Sequence, residues 1–356
     1  MRLLFATSGV GLGHVVRDVN LARHMPWAEI DWISSGIAVK YLEERGERIH
    51  NLSLHLCSLN PVIERAFSTG RLKLGLGEMV SLYRCVRRNV RLLERHLSLG
   101  EYDGVVGDEF WELLLSRKSH DKIAFITDFI RFKPQRRSLS QRLILPYVNS
   151  RLQEAYRKVG CRIYVGLRGE EDAQRAGFEY YGQIFSHGPV SRGQEADRDL
   201  AVINIGGTWA GKTLVAMGRE AATSFGLDVQ IIGPGPYFNP NPLPLISSAR
   251  VMITIAGYSS LLEAARLRKR AVIVPLGGDF EQHENAQAFE GRAGYRVIPM
   301  DELSSRGLRE AISTVLDEEP DPPDLVDGSC GFARRLGIFF DSHQRQRTPA
   351  PVGKVL

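Results

Sequence analysis

Short β-branched apolar runs alternate along the chain with longer stretches of helical period, the pattern of parallel strands covered by crossover helices. In the first half the runs Leu3–Thr7, Ile30–Ser34, Gly104–Val106, Ile123–Thr127 and Arg162–Val165 predict strands, with a first helix at His14–Arg23. A second series follows at Leu200–Ile205, Val229–Ile232, Val251–Ile255, Ala271–Val274 and Tyr295–Ile298, with helices at Ser259–Arg268 and Glu284–Glu290. Between the two series, residues 182–194 are rich in Gly and polar groups and poor in apolar anchors, which marks a linker. After Pro320-Asp-Pro-Pro323 one more amphipathic segment, Phe332–Phe340, predicts a last helix. The organisation that results is α/β with two Rossmann-like domains, 1–190 and 198–330, then a helix over 331–342 and a polar, flexible tail over 343–356.

A chain of 356 residues suits two domains of this size. The 43% apolar and 24% charged fractions are those of an ordinary soluble protein. The formal charge of +5 favours anionic partners (sugar nucleotides, phospholipid headgroups or nucleic acid) without choosing among them. The first residues, Met1–Ala6, run at once into a glycine loop and read as a strand, not as a leader. No apolar run approaches the ~20 residues that span a bilayer, so membrane contact would be peripheral. Cys57, Cys85, Cys161 and Cys330 have no metal-ligand spacing and predict reduced thiols in a cytoplasmic protein.

Three segments carry chemistry. In Gly9-Val-Gly-Leu-Gly-His14 a strand enters a glycine turn and then a helix, where N–H groups can approach an anion or a sugar. His14 opens that helix as a candidate general base, with Gly11, Gly13 and Arg17 as acceptor or phosphate-loop residues. The glycine spacing departs from the G-x-G-x-x-G dinucleotide fingerprint. The second segment, Gly206-Gly-Thr-Trp-Ala-Gly-Lys-Thr213, fits the P-loop pattern, but no later strand of this half ends in the Asp that would organise magnesium. The third runs from Gly257 through Ser259, Ser260 and Glu263 to Glu281, Gln282 and Asn285. Its serines can cap a helix and meet phosphate, and Glu263 can accept from both hydroxyls of a ribose. Asp108, Glu109 and Asp128 follow predicted strands, where an open α/β sheet places ligands; turn formation explains them equally well.

In these places the chain resembles the glycosyltransferase family of the lipid-linked N-acetylglucosaminyltransferase of peptidoglycan synthesis, family 28 of the GT-B fold. Gly-Leu-Gly-His14 resembles the family's first glycine loop, and Gly206-Gly207-Thr208 its diphosphate loop. Gly257–Glu263 is similar to the G-x-x-[ST]-x-x-E donor motif, and Pro275–Ala286 to its continuation. The resemblance implies an inverting transfer of a sugar from a UDP-type nucleotide sugar, with no metal and no other cofactor. Glu263 would hold the ribose, Gly206, Gly207, Thr208, Gly257, Ser259 and Ser260 the diphosphate, and Glu281 with Gln282 the sugar. His14 would be the base, oriented by Asp108, and Arg17 would add charge at the leaving group. The last helix would pack back on the first domain. The loop Pro275–Phe280 is shorter than is usual in the family, and Trp209–Thr213 is bulkier and more basic.

Two segments bear on the acceptor. From Arg71 to Leu99 there are seven Lys/Arg against two acids, and from Arg131 to Lys158 eight against one, with apolar residues threaded through both. Such helices suit an anionic membrane surface or a phosphate-bearing, lipid-linked acceptor; a core stripe with a solvated basic back explains them as well. No nucleic-acid-binding module accompanies the charge. The competing functions are an epimerase or hydrolase of nucleotide sugars, a non-catalytic sugar-nucleotide binder and a P-loop NTP-binding protein.

Overall fold

The computed structural model describes residues 1–67, 70–73, 75–118, 120–133, 139–167, 171–186 and 199–347. They form two parallel five-stranded sheets. The first contains β1 (Arg2–Thr7), β2 (Glu29–Ile33), β3 (Gly104–Asp108), β4 (Ile123–Thr127) and β5 (Cys161–Tyr164), in the order β2-β1-β3-β4-β5. The second contains β6 (Leu200–Asn204), β7 (Asp228–Ile232), β8 (Val251–Ile255), β9 (Arg270–Val274) and β10 (Tyr295–Val297), in the order β10-β9-β8-β6-β7. Counted from its own first strand, each sheet runs 2-1-3-4-5, so the two share one topology. The inner strands β3, β4, β6 and β8 are buried at every residue, as parallel strands covered on both faces must be. The edge strand β7 alternates in exposure.

The crossovers in the first half are α1 (Gly13–Ala22), α2 (Ile37–Glu44), α3 (Asn60–Ala66), α4 (Leu76–His96), α5 (Trp111–Leu115), α6 (Leu139–Tyr156) and α7 (Glu171–Arg175). Those in the second are α8 (Lys212–Thr223), α9 (Leu243–Ser248), α10 (Tyr258–Arg266), α11 (Phe280–Gln287) and α12 (Ser305–Leu316), followed by α13 (Ser329–Arg347). α11 starts four residues before the Glu284 that periodicity suggests, because the Asp279 side chain accepts from Gln282 N and caps it. α10 is entered from Gly257, which places Ser259 and Ser260 inside its first turn and not at the cap. α13 runs on to Arg347, so residues 343–347 are helical and not part of a flexible tail; residues 348–356 lie outside the described ones.

In the linker, Gln183 pairs with Asp327 and its side-chain amide donates to Gly166 O and Leu167 O. Residues 187–194 of the linker, and the boundaries at 190 and 198, lie outside the described residues. The thiol reading needs a correction. Cys57 and Cys85 form a disulfide with Cα atoms 5.6 Å apart, while Cys161 and Cys330 are free. A separation of 28 residues hid this pairing; Asn89 of α4 holds the Cys57 backbone beside it, accepting from its N–H and donating to its C=O.

α13 returns to the first domain and lies against α1. Phe332, Leu336 and Phe340 are fully buried there, and Arg335 pairs with Glu179. The Phe340 ring occupies the space above Gly104 so closely that a Cβ there would sit 2.2 Å from it. A second crossing joins α3 and residues 70–73 to the second domain. Phe67 belongs to that domain's core, Leu72 N donates to Gly277 O (2.7 Å), and Gly277 N donates to Gly70 O (2.9 Å).

Truncating Phe340 to Ala removes a fully buried ring and should cost about 3–5 kcal/mol. Ile338→Ala, at a side chain 60% exposed, should stay within about 0.5 kcal/mol. Urea unfolding of both variants checks this; equal midpoints would remove α13 from the core of the first domain.

Candidate functional site

In a sheet of order 2-1-3-4-5 the crossovers leave β1 and β3 in opposite directions, and a crevice opens at their C-terminal ends. The first sheet places the Gly9–Gly13 loop and Asp108 at that point; the second places Gly206–Thr208 and Gly257 at the equivalent ends of β6 and β8. The two crevices face each other. A Cβ on Gly207 would lie 2.6 Å from Leu12 N, so only glycine fits where the loops meet. Ser259 Oγ donates to Gly13 O at 3.4 Å, and the Arg17 guanidinium lies 5.7 Å from the centre of the Tyr258 ring. The cavity between the loops is about 260 Å³, lined by Gly11, Gly13, His14, Gly206–Thr208, Gly257–Ser260, Glu263, Glu281 and Gln282.

At one end stands His14. Its Nδ1 lies 3.0 Å from Asp108 Oδ1 and 3.0 Å from Arg17 Nη2. Arg17 Nη2 also donates to Asp108 Oδ1 at 2.5 Å, and that carboxylate, held in its charged form, can only accept. Nδ1 therefore carries the proton and donates to Asp108, which leaves the Nε2 lone pair on the far side of the ring. Nε2 is 3.8 Å from Glu109 Oε2. Arg17 itself is turned inward, forked onto Asp108 through Nε and Nη2 and paired with Asp128 through Nη1 (2.9 Å). Three of its N–H donors go to carboxylates, so the guanidinium positions the site, and Arg17 also lines the cavity.

Burial opposes charge at Asp108, but Arg17 and His14 outweigh it and hold that carboxylate well below its usual range. Burial and then the Asp108 charge push Asp18, which stands behind the pair, well above the usual range. Burial and then the nearby Asp128 do the same to Glu109. Glu109 adopts a left-handed backbone (φ 44°), a conformation that costs a non-glycine residue of order 1 kcal/mol or more. Its Oε1 accepts from Thr127 Oγ1 (2.8 Å) and Asp128 N (3.2 Å), which holds it there.

At the other end the second domain presents an anion cradle. Gly206 has φ 72° and donates to Asn204 Oδ1; the next residues enter a tight turn where Thr208 Oγ1 accepts from Ala210 N. The N-terminus of α10 points its first-turn N–H groups at the same space. Ser260 Oγ accepts from Asn204 Nδ2 (3.0 Å), tying the two loops together. Glu263, one turn further, is buried and accepts from Ser186 Oγ at 3.3 Å; burial raises its pKa to about 7. Lys212, the lysine of the P-loop pattern, opens α8 but does not line the cavity, and a turn over Trp209–Gly211 separates it from the glycines.

The remaining predicted residues divide. Glu281 reaches the cavity, its pKa raised by burial and then by Asp128 across the gap. Asp279 beside it is raised to about 6, chiefly by burial. Gln282 lines the cavity, but its Oε1 accepts from both Ala256 N and Leu276 N, so only its amide nitrogen is left for a ligand. Asn285 does not line the cavity; it donates to Ala256 O and braces α11 against β8. Residues not foreseen also contribute. Asn60 Oδ1 accepts from Gly11 N (3.1 Å), Glu64 Oε1 accepts from Trp209 N (3.2 Å), and Tyr41, Arg45 and Asn239–Leu243 close the end near Glu263. They come from separate loops with no motif, so no spacing in the chain announces them.

Residues 215–325 match the Glycosyltransferase family 28 C-terminal domain. An uncharacterized glycosyltransferase of Methanopyrus kandleri is 28% identical over 145 residues, which are 37% of this chain and 42% of that relative, less than half of either. The solved glycotransferase of kitacinnamycin superposes with a TM-score of 0.60 at 13% identity, over 96% of this chain and 95% of its own. The Streptomyces sp. SF2575 glycosyltransferase SsfS6, complexed with thymidine diphosphate, superposes with a TM-score of 0.54 at 15% identity, over 96% of each chain. At such identities the likeness establishes the fold, two Rossmann-like domains facing across a cleft in the GT-B arrangement.

Because burial raises Glu263 from 4.5 to about 7, the folded chain draws stability from this group below pH 4.5 and loses it as pH climbs through 7. Two hydroxyls donating to the carboxylate favour its charged form. Were the hydroxyls those of a bound ribose, affinity for UDP would rise by up to about tenfold between about pH 6 and pH 8, beyond the slope shown by Glu263→Gln. Calorimetric titration of both proteins checks this, and equal slopes would remove Glu263 from ribose binding.

Proposed function

We propose that this protein is an inverting glycosyltransferase that moves a sugar from a UDP-type nucleotide sugar to an acceptor hydroxyl held against the first domain. The observation that carries this reading is the opposition, across one cavity, of an oriented imidazole and an anion cradle. His14 Nε2 takes the acceptor proton, and the Asp108 carboxylate steadies the imidazolium that forms. The acceptor oxygen attacks the anomeric carbon from the face opposite the diphosphate and inverts it. The N–H groups of Gly206–Thr208 and the start of α10 receive the charge of the departing diphosphate, a task preorganised dipoles perform without a metal at that position. Glu263 accepts from the ribose hydroxyls, and the Gln282 amide nitrogen donates to the sugar. The P-loop alternative loses its support, since Lys212 stands away from the cavity.

The acceptor, in this reading, is lipid-linked and met at the inner face of a membrane. No helix among the described residues is long and apolar enough to cross one. α4 offers the docking face: Met79 (55% exposed), Val80 and Tyr83 (59%) stand out beside exposed Arg84, Arg87, Arg88 and Arg91. The 131–158 segment contributes less. Lys133 is paired with Glu284 of the second domain and Arg151 with Glu154, while Arg136 and Arg137 lie outside the described residues.

Thermal-shift titration against UDP, dTDP, GDP, ADP and several UDP-sugars, without magnesium, tests the donor. Ligand at about 100 times its Kd stabilises by roughly 2.7 kcal/mol. UDP and one UDP-sugar should stabilise the wild type and Lys212→Ala alike; a magnesium-dependent shift with ATP alone would sink the reading. With that donor identified, His14→Ala should retain the shift and lose transfer by about 100-fold or more.

For the membrane, anionic vesicles should sediment the protein at low salt, with about 1 kcal/mol lost per arginine on replacing Arg84, Arg87 and Arg88 by Gln. Equal sedimentation of wild type and triple variant would leave α4 a solvated helix.

A further inference from the structure

We propose that His14, Glu109 and Asp128 form a divalent-cation site at the acceptor end of the cavity, suited to Zn²⁺, Co²⁺ or Mn²⁺. One ligand atom from each residue lies within 4.8 Å of the other two. The independent sign of a missing positive partner is at Asp128. This residue is 8% exposed, its Oδ2 accepts from Arg17 Nη1, and its Oδ1 is buried with no hydrogen-bond partner. A buried carboxylate oxygen left without a donor is costly, and native structures rarely keep one.

The three side chains share one design. Each has one atom fixed by a neighbour and one left over. His14 gives Nδ1 to Asp108 and keeps Nε2. Glu109 gives Oε1 to Thr127 Oγ1 and Asp128 N and keeps Oε2, 3.8 Å from Nε2. Asp128 gives Oδ2 to Arg17 and keeps Oδ1. This is how metal-binding side chains are oriented, with a carboxylate on the far nitrogen of the histidine and a donor on the far oxygen of each acid. One imidazole nitrogen with two carboxylate oxygens suits borderline cations better than Ca²⁺ or Mg²⁺, which prefer oxygen alone. Metal–ligand bonds of ~2.0–2.2 Å in a tetrahedral site put ligand atoms about 3.4 Å apart, so the side chains must draw together by roughly 0.4 Å for the Nε2–Oε2 pair and by up to roughly 1.4 Å for the widest pair. Glu281, on the opposite wall of the cavity, brings a further carboxyl group near Asp128.

All three ligands belong to the first domain, at the ends of β1, β3 and β4, away from the diphosphate cradle of the second. A cation on Nε2 takes the lone pair that would accept the acceptor proton. Occupancy therefore switches off transfer while leaving donor binding intact, a consequence that rests on the reading of His14 as the base.

The test uses the full chain, stripped with chelator and titrated with Co²⁺, followed by its visible absorption. A single saturable site should appear at micromolar concentration and weaken by at least about tenfold in both Glu109→Gln and Asp128→Asn. UDP-induced thermal shifts of the two variants, matching the wild type, show that they are folded. No saturable Co²⁺ band at millimolar concentration, or a band of wild-type strength in both variants, overturns the site. Saturable binding that depends on both acids, with transfer undiminished by Zn²⁺, upholds the site and removes His14 as the base.

Discussion

The His14 end of the cavity depends on one buried guanidinium. Arg17 is 2% exposed and holds Asp108 at the end of β3 and Asp128 just past the end of β4, so one side chain fixes α1 against two strands at once. Such a cluster is a poor source of net stability, because desolvating each ion offsets most of the attraction. What it supplies is geometry. Asp108 is held charged in a dry place, His14 is held in one tautomer by Asp108, and the Nε2 lone pair is thereby given a fixed direction. The stacking of Arg17 near Tyr258 extends that order to the second domain.

The second constraint is topological. Both sheets run 2-1-3-4-5, and each opens its crevice where its first and third strands part. Facing the two crevices brings four strand ends to one cavity without any long functional loop. The approach is so close that Gly207 is dictated by backbone contact with Leu12 and not by the ligand alone. Chemistry is divided accordingly: His14, Arg17 and Asp128 stand on the first domain, and backbone donors with Glu263, Asp279 and Glu281 on the second.

The strands were legible because inner parallel strands are apolar throughout, and Ile123–Thr127 and Val251–Ile255 stand where their patterns place them. The glycine loops and the G-x-x-S-x-x-E motif were legible because their chemistry is local. Three kinds of feature were not. Helix starts decided by a side-chain cap, such as Asp279 before α11, shift the boundary away from the apolar period. Side chains spent on bracing look like ligands in a sequence, and Asn285 and the carbonyl of Gln282 turned out to be structural. Pairings across long separations leave no trace in spacing, which is why Cys57–Cys85 and the Asn60 contact to Gly11 emerge only in three dimensions.

The crossing made by α3 and residues 70–73 has a consequence for recombining such proteins. Phe67 lies in the second domain's core, residues 70–72 pair with Gly277, Arg71 faces Asp301, and Glu64 accepts from the backbone of the diphosphate loop. Through Ile63, Phe67 and residues 70–73 this stretch packs into the second domain, while Asn60 stays bound to Gly11 of the first. A chimera that joins the acceptor half of one relative to the donor half of another at the linker would separate Phe67 from its core and Glu64 from Trp209. The unit that packs as the second domain is therefore discontinuous in sequence, and an exchange that respects it moves residues 63–73 together with that domain.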